Sequence, residues 1–229
     1  AFKVKDLRKK LIYTFMMLWV IRIGAFITIP GINKAAVANT LGSDGLMDLL
    51  NTFSGGALKN MSLFALGIVP YINASIVMSL LTIVVPKLEE MQKEGEDGRK
   101  KIAKITRYAT VGFAALQAFG ITVGLGRSNW FYDFTGFNIL FSSVVAILAL
   151  TAGTAFLMWV GERITENGIG NGISFIIFVN ILSRLPDGVK ALYNYAFNLG
   201  KPIQVILLAI VFLAMIVLVI MLQLGERRI

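Results

Sequence analysis

No cysteine and no histidine occur among the 229 residues. Without cysteine there is no disulfide, no thiolate nucleophile and no thiolate metal site. Without histidine the commonest general base and metal ligand are missing, which argues against most hydrolase and metalloenzyme chemistries. Charge is scarce as well. Only 15% of the residues are charged and 56% are hydrophobic, whereas a soluble domain typically carries about a quarter charged and about half apolar residues. The apolar surplus must face something other than water, and lipid is the simplest candidate. The net charge of +9 would suit nucleic acid. The basic residues, however, sit in short runs beside apolar blocks, which suits anionic headgroups or an acidic partner at a membrane surface.

What is present is a series of long apolar blocks. They run roughly over Leu11–Ile29, Met61–Val85, Tyr108–Leu125, Ile139–Val160, Ile173–Leu185 and Ile203–Leu224. A helix crossing a hydrocarbon core of ~30 Å needs about 20 residues. Five blocks are long enough or nearly so. The fifth, of about 13 residues, covers only ~20 Å, so it is either a buried, partly spanning helix or one extended by its Gly-rich approach. The reading is an all-α, polytopic helical bundle with about six transmembrane helices. Lys3, Lys5, Arg8, Lys9 and Lys10 precede the first block. Lys87, Lys93, Arg99, Lys100, Lys101, Lys104 and Arg107 follow the second, Arg163 follows the fourth, and Arg227 and Arg228 follow the sixth. The opposite side holds Lys34, Lys59, Arg127, Arg184, Lys190 and Lys201. The richer side is expected to be cytoplasmic, which puts both ends there, as an even number of spans requires. The first block is too long for a signal-peptide core and no small-x-small cleavage site follows it.

The connections carry the individuality. After Pro30-Gly31, the stretch Leu46–Lys59 has Leu46, Leu49, Leu50 and Phe53 at helical spacing, ended by Gly55-Gly56. It reads either as a discontinuous membrane element, tolerated only in a protein interior or beside a water-filled cavity, or as an amphipathic extracytoplasmic loop. The second block contains Pro70, which is expected to kink it. Ile68 and Ile72 share a helical face, and the small polar residues Asn73, Ser75 and Ser79 suit helix packing as well as a pore. Arg22 within the first block reads equally as a functional group or as a snorkelling or paired cation. The run Glu94-Gly-Glu-Asp-Gly-Arg-Lys-Lys101 reads as a projecting charged loop; its glycine spacing is wrong for a phosphate loop and Lys100 is not followed by Ser or Thr. Gly168-Ile-Gly-Asn-Gly172 follows no strand, so it is not a dinucleotide loop.

Taken in order, Arg22-Ile-Gly24 with Ile29-Pro-Gly31, Phe53-Ser-Gly-Gly-Ala-Leu58, Leu66-Gly-Ile-Val-Pro-Tyr-Ile72, the Glu94–Lys101 run with Thr106-Arg-Tyr108, and Gly161-Glu-Arg-Ile-Thr-Glu-Asn-Gly-Ile-Gly-Asn-Gly-Ile-Ser174 resemble the SecY family, the central subunit of the bacterial protein-translocation channel. The resemblance covers nearly the whole chain. It implies a SecY-like bundle with a re-entrant plug helix. Residues 1–185 would be the N-terminal half with its plug at about 46–60, residues 186–202 an extracytoplasmic hinge loop, and residues 203–229 the sixth span and the start of the next cytoplasmic loop. The family has ten spans, so the remaining ones are expected to lie outside this sequence.

The resemblance also implies roles. The pore ring carries over to Ile68 and Ile72, and to Ile173 and Ile177. The plug carries over to Leu46, Leu49, Leu50, Phe53, Ser54, Gly55 and Gly56, with the glycine pair as its flexible point. Arg99, Lys100, Lys101 and Arg107 match a surface for a motor or ribosome. The expected partners are SecE, SecG, the SecA motor ATPase, the ribosome, signal peptides, nascent chains and membrane lipids. No cofactor, metal or enzymatic activity is expected, and the expected location is the bacterial inner membrane. Without the resemblance, a secondary transporter with broken helices would be the alternative. A transporter needs a polar site near the midplane, whereas Ile68 and Ile72 point to an apolar constriction. An intramembrane enzyme would lack histidine, cysteine and paired intramembrane acids.

Overall fold

The computed structural model describes residues 5–30, 32–33, 37, 51–125, 139–198 and 202–225. The plug positions Leu46, Leu49 and Leu50, the turn residue Gly31, and the cations Lys3, Lys34, Arg127, Lys201, Arg227 and Arg228 lie outside the described residues. The helices are α1 (Lys5–Gly24), α2 (Val69–Val84), α3 (Pro86–Lys93), α4 (Glu96–Leu125), α5 (Ile139–Asn167), α6 (Gly172–Tyr193) and α7 (Pro202–Leu224), with a π-helical turn at Asn194–Asn198. The six apolar blocks fall in order on α1, α2, α4, α5, α6 and α7. No strand forms among the described residues; one antiparallel bridge pairs Thr28 with Ser62. Among the described residues, three helical stretches are long and apolar enough to cross a membrane: Phe141–Asn167, Gly172–Asn198 and Pro202–Leu222. The pair α2 and α3, bent by 98°, would be a fourth. This is an all-helical, multi-pass membrane protein.

The chain forms two compact units, Ala1–Ser183 and Arg184–Ile229. In the first, α1 and α4 each bury one stripe and leave large apolar side chains outward. On α1 the buried residues Thr14, Leu18 and Ile21 recur at helical spacing, while Phe15, Trp19 and Ile23 are exposed. On α4 the buried stripe is Thr106, Thr110, Ala114, Ala118 and Thr122. Small side chains at every fourth position let neighbouring backbones approach closely, and in lipid that packing holds helices together. In the second unit, α7 is exposed along its length, with no buried residue in its apolar stretch.

Three expectations are corrected here. Pro70 does not kink a helix that starts at Met61. Residues 61–68 form turns, and Pro70 occupies the first turn of α2, where the missing N–H has no intrahelical partner to lose. The bend comes at Pro86 instead. Pro86 opens α3 and holds Val85 in an extended conformation, φ −98° and ψ 111°, as a residue before proline prefers. The fifth span is not short. Its helix runs 22 residues through Pro186 to Tyr193, so the length comes from the far end and not from the Gly-rich approach. The run Glu94–Lys101 is not a projecting loop. Gly95, at φ +82°, turns the chain between α3 and α4, and Gly98 packs where a Cβ would overlap the Met91 carbonyl oxygen.

The Gly-rich turn before α6 is built from close contacts. A Cβ on Gly172 would overlap the Gly161 carbonyl oxygen. The Gly172 N–H donates to Thr165 Oγ1 at 2.9 Å, and Asn171 Oδ1 accepts from Ile173 N at 3.0 Å as the helix cap. Gly172→Ala should therefore lower the thermal midpoint of the detergent-solubilised full-length protein, at a cost of about 1–3 kcal/mol for an overpacked contact. Gly112→Ala on α4, where nothing lies within 4 Å, should leave the midpoint nearly unchanged.

Candidate functional site

The site begins with a stretch of backbone that is not a regular helix. Residues 51–53 make one helical turn, and residues 54–68 continue as successive turns. Asn51 organises the start. Its carbonyl accepts from Gly56 N at 2.8 Å and from Ser54 Oγ at 3.0 Å, and its Oδ1 accepts from Lys59 N at 3.0 Å. Ser54 Oγ in turn accepts from Leu58 N at 3.1 Å. Gly55 and Gly56 have φ of +65° and +88°, which only glycine adopts without strain. The expected flexible point is thus a defined, hydrogen-bonded turn. Phe53, one of the four apolar residues at helical spacing, is exposed, whereas Asn51 and Ser54 are buried. Their side chains point inward because the peptide groups of the turn need partners.

The stretch is held by the helices around it. Ile29 N donates to Met61 O at 3.1 Å and Leu63 N to Ile27 O at 2.9 Å, which ties it to the end of α1. Phe64 lies against Gly24, where a Cβ would overlap its ring, and stacks on Phe156 of α5 at 5.8 Å. Leu63 O fills the space beside Gly153 of α5. Arg22 NH1 of α1 approaches Gly55 O at 3.5 Å, and its guanidinium lies 6.0 Å from the Phe26 ring. Asn180 of α6, itself buried, donates from Nδ2 to Phe53 O at 3.1 Å. The cation within the first span therefore faces the protein interior and a backbone carbonyl. Asn180 was not singled out from the sequence; the signal was one carboxamide in the apolar run Ile176–Leu182.

Ile68, Ile72, Ile173 and Ile177 belong to one apolar cluster, with Leu18, Ile21, Ala57, Phe64, Leu157 and Ile176. Ile68 caps α2 and is fully buried, while Ile72, Ile173 and Ile177 are partly exposed. Beside them opens a cleft of about 440 Å³ lined by Tyr71, Ile72, Ser75, Arg107, Glu162, Thr165, Asn171 and Ile173 among others. Its walls come from α2, α4, α5 and the start of α6. The cleft is apolar on the side of Ile72 and Ile173 and polar on the side of Arg107 and Glu162. No group of histidine, cysteine or acidic residues able to hold a metal occurs among the described residues.

The four candidate docking cations are not together. Arg99, Lys100 and Lys101 lie on the first turns of α4, and Arg107 lies further along, paired with Glu162 of α5 at 2.7 Å. Lys101 bonds Glu94 at 2.9 Å. That hydrogen bond and charge hold its ammonium above the ordinary lysine range. Lys100 lies 3.8 Å from Asp97. Arg99 is exposed and has no ion pair among the described residues. A double-mutant cycle on Arg107 and Glu162 should give a coupling of about 0.5–1 kcal/mol in unfolding experiments. The same cycle on Lys100 and Asp97, a longer and fully exposed pair, should give none.

Comparison with known proteins adds family and fold. A family model described as SecY matches residues 62–229. Protein translocase subunit SecY of Thermotoga maritima is 43% identical over 236 residues, covering 100% of this chain and 54% of the relative. The corresponding subunit of Bacillus subtilis is 44% identical over 236 residues, covering 99% of this chain and 54% of the relative. The chain thus spans about half the length of the curated relatives it matches. Two solved structures share the fold at 18% identity and a TM-score of 0.52, each covering 84% of this chain. One is Sec61 in the canine ribosome-channel complex from the endoplasmic reticulum, 39% of which is covered. The other is titled as the structure of a protein conducting channel, 38% of which is covered.

Proposed function

The chain belongs to the SecY family, and we propose that it builds one side of a protein-conducting channel. That channel passes unfolded secretory polypeptides across the bacterial inner membrane and releases transmembrane segments sideways into lipid. The observation that carries this reading is the meeting of Ile68, Ile72, Ile173 and Ile177, from two helices, in one apolar cluster. The same cluster contains Ala57 of the plug segment. A narrow ring of branched apolar side chains seals by dewetting, and its rotamers yield around a moving chain. Beside α2, an apolar segment gains roughly 0.3–0.6 kcal/mol for each Leu, Ile, Phe or Val that enters lipid, which suffices to sort membrane segments from secreted ones.

In this reading residues 1–185 form the N-terminal half, residues 186–202 the hinge and residues 203–229 the sixth span. Both ends of the segment lie in the cytoplasm, on the side rich in basic residues. SecE and SecG are the membrane partners, and SecA or the ribosome supplies the driving force at the α3–α4 hairpin. There the acidic residues already engage Lys93, Lys100 and Lys101, so Arg99 is the docking cation readiest for a partner.

Replacing Ile68 and Ile72 together by Ser in the full-length protein should raise resting ion conductance in planar bilayers by about tenfold or more, since a polar neck stays wet. Unchanged conductance would remove these residues from the seal. Reversing Arg99, Lys100 and Lys101 to Glu should slow motor-driven secretion in membrane vesicles while the channel still inserts normally. Normal secretion would take the hairpin out of the docking surface.

A further inference from the structure

Two polar side chains stand in otherwise apolar helical runs and converge on the same short piece of backbone. Arg22 comes from α1 and Asn180 from α6. Their targets are the carbonyls of Gly55 and Phe53, two residues apart at the end of the helical turn 51–53. Carbonyls at a helix end have no partner within the helix, and away from water an unpaired carbonyl is costly. The fit at this point is close. A Cβ on Gly55 would lie 3.0 Å from both Arg22 NH1 and Asn180 Oδ1, and 3.2 Å from Asn180 Cα.

We propose that Asn180, assisted by Arg22, is a positioning residue that latches the plug segment in its closed place. The inference rests on the reading of residues 46–60, of which 51–60 are described, as the plug of a channel. Its physical sense lies in the strength of the bonds. A hydrogen bond between neutral groups is worth little net once both partners can reach water. The segment is therefore held while the site is dry and released when a polypeptide enters and the carbonyls become hydrated. An apolar residue at position 180 would leave Phe53 O without this donor. Asn51 and Ser54 tie residues 51–59 to one another through bonds that involve neither Arg22 nor Asn180.

The test uses the full-length protein, freed of any other cysteine, in membrane vesicles. Ser54→Cys places a thiol in the buried turn, and Thr154→Cys places one on α5 at a residue only 1% exposed. Maleimide labelling of each is followed in the parent and with Asn180→Leu added. The latch requires labelling at position 54 to rise about fivefold, the shift expected for one lost hydrogen bond, while position 154 stays protected. No rise at 54, or an equal rise at 154, overturns the proposal, the second because it reports general loosening. If Asn180→Leu does not accumulate, Asn180→Ala removes the same donor without bulk and must give the same pattern. The conductance of the Ile68 and Ile72 variants is read separately, so a failed seal and a failed latch are told apart.

Discussion

A peptide group that leaves a helix inside a membrane protein must find a partner there, because the hydrocarbon offers none. Residues 51–68 meet that constraint between α1 and α2, and the rest of the first unit is arranged around how they do so. Asn51 and Ser54 turn inward to serve the segment's own backbone. The end of α1 contributes the Thr28–Ser62 bridge. The carbonyls that remain are met by Arg22 and Asn180. Each of these polar groups would be out of place on a lipid-facing surface, and each is explained by one identifiable backbone atom.

Glycines set how close the surrounding helices come. Gly24 admits Phe64, Gly153 admits the Leu63 carbonyl, and Gly161 and Gly172 let α5 and α6 touch. In the same packing Ile68 and Ile72 share an apolar cluster with Ile173 and Ile177. The geometry that satisfies the non-helical backbone thus also brings these four isoleucines into one apolar cluster.

Much of this was legible in the sequence. The apolar blocks fixed the helices and their order because the membrane imposes a length and a composition. Gly95 reads as a turn and is one, at φ +82°. What escaped depended on contacts distant along the chain. Pro70 reads as a kink until residues 61–68 prove to be turns, which places it in a helix's first turn. The fifth apolar block ends at Leu185, yet α6 continues through Pro186 to Tyr193. The sign change from Glu94 to Lys101 reads as a loop because charge runs usually do; its ion pairs to neighbours three and seven residues away appear only once the hairpin is folded. Asn180 shows locally only as a carboxamide in an apolar run, and its partner is 127 positions away in the chain.

The central claim is that the face formed by Ile72 and Ile177 lines the path of a moving polypeptide. Photo-crosslinking tests it most directly. A photoreactive side chain is placed at position 72 or 177 of the full-length protein, or at Leu116, 69% exposed on the outer face of α4, and a secretory polypeptide is stalled midway. Adducts to the stalled chain from 72 and 177 and none from 116 are the predicted result. Translocation without adducts at 72 and 177, or with equal adducts at 116, would contradict it.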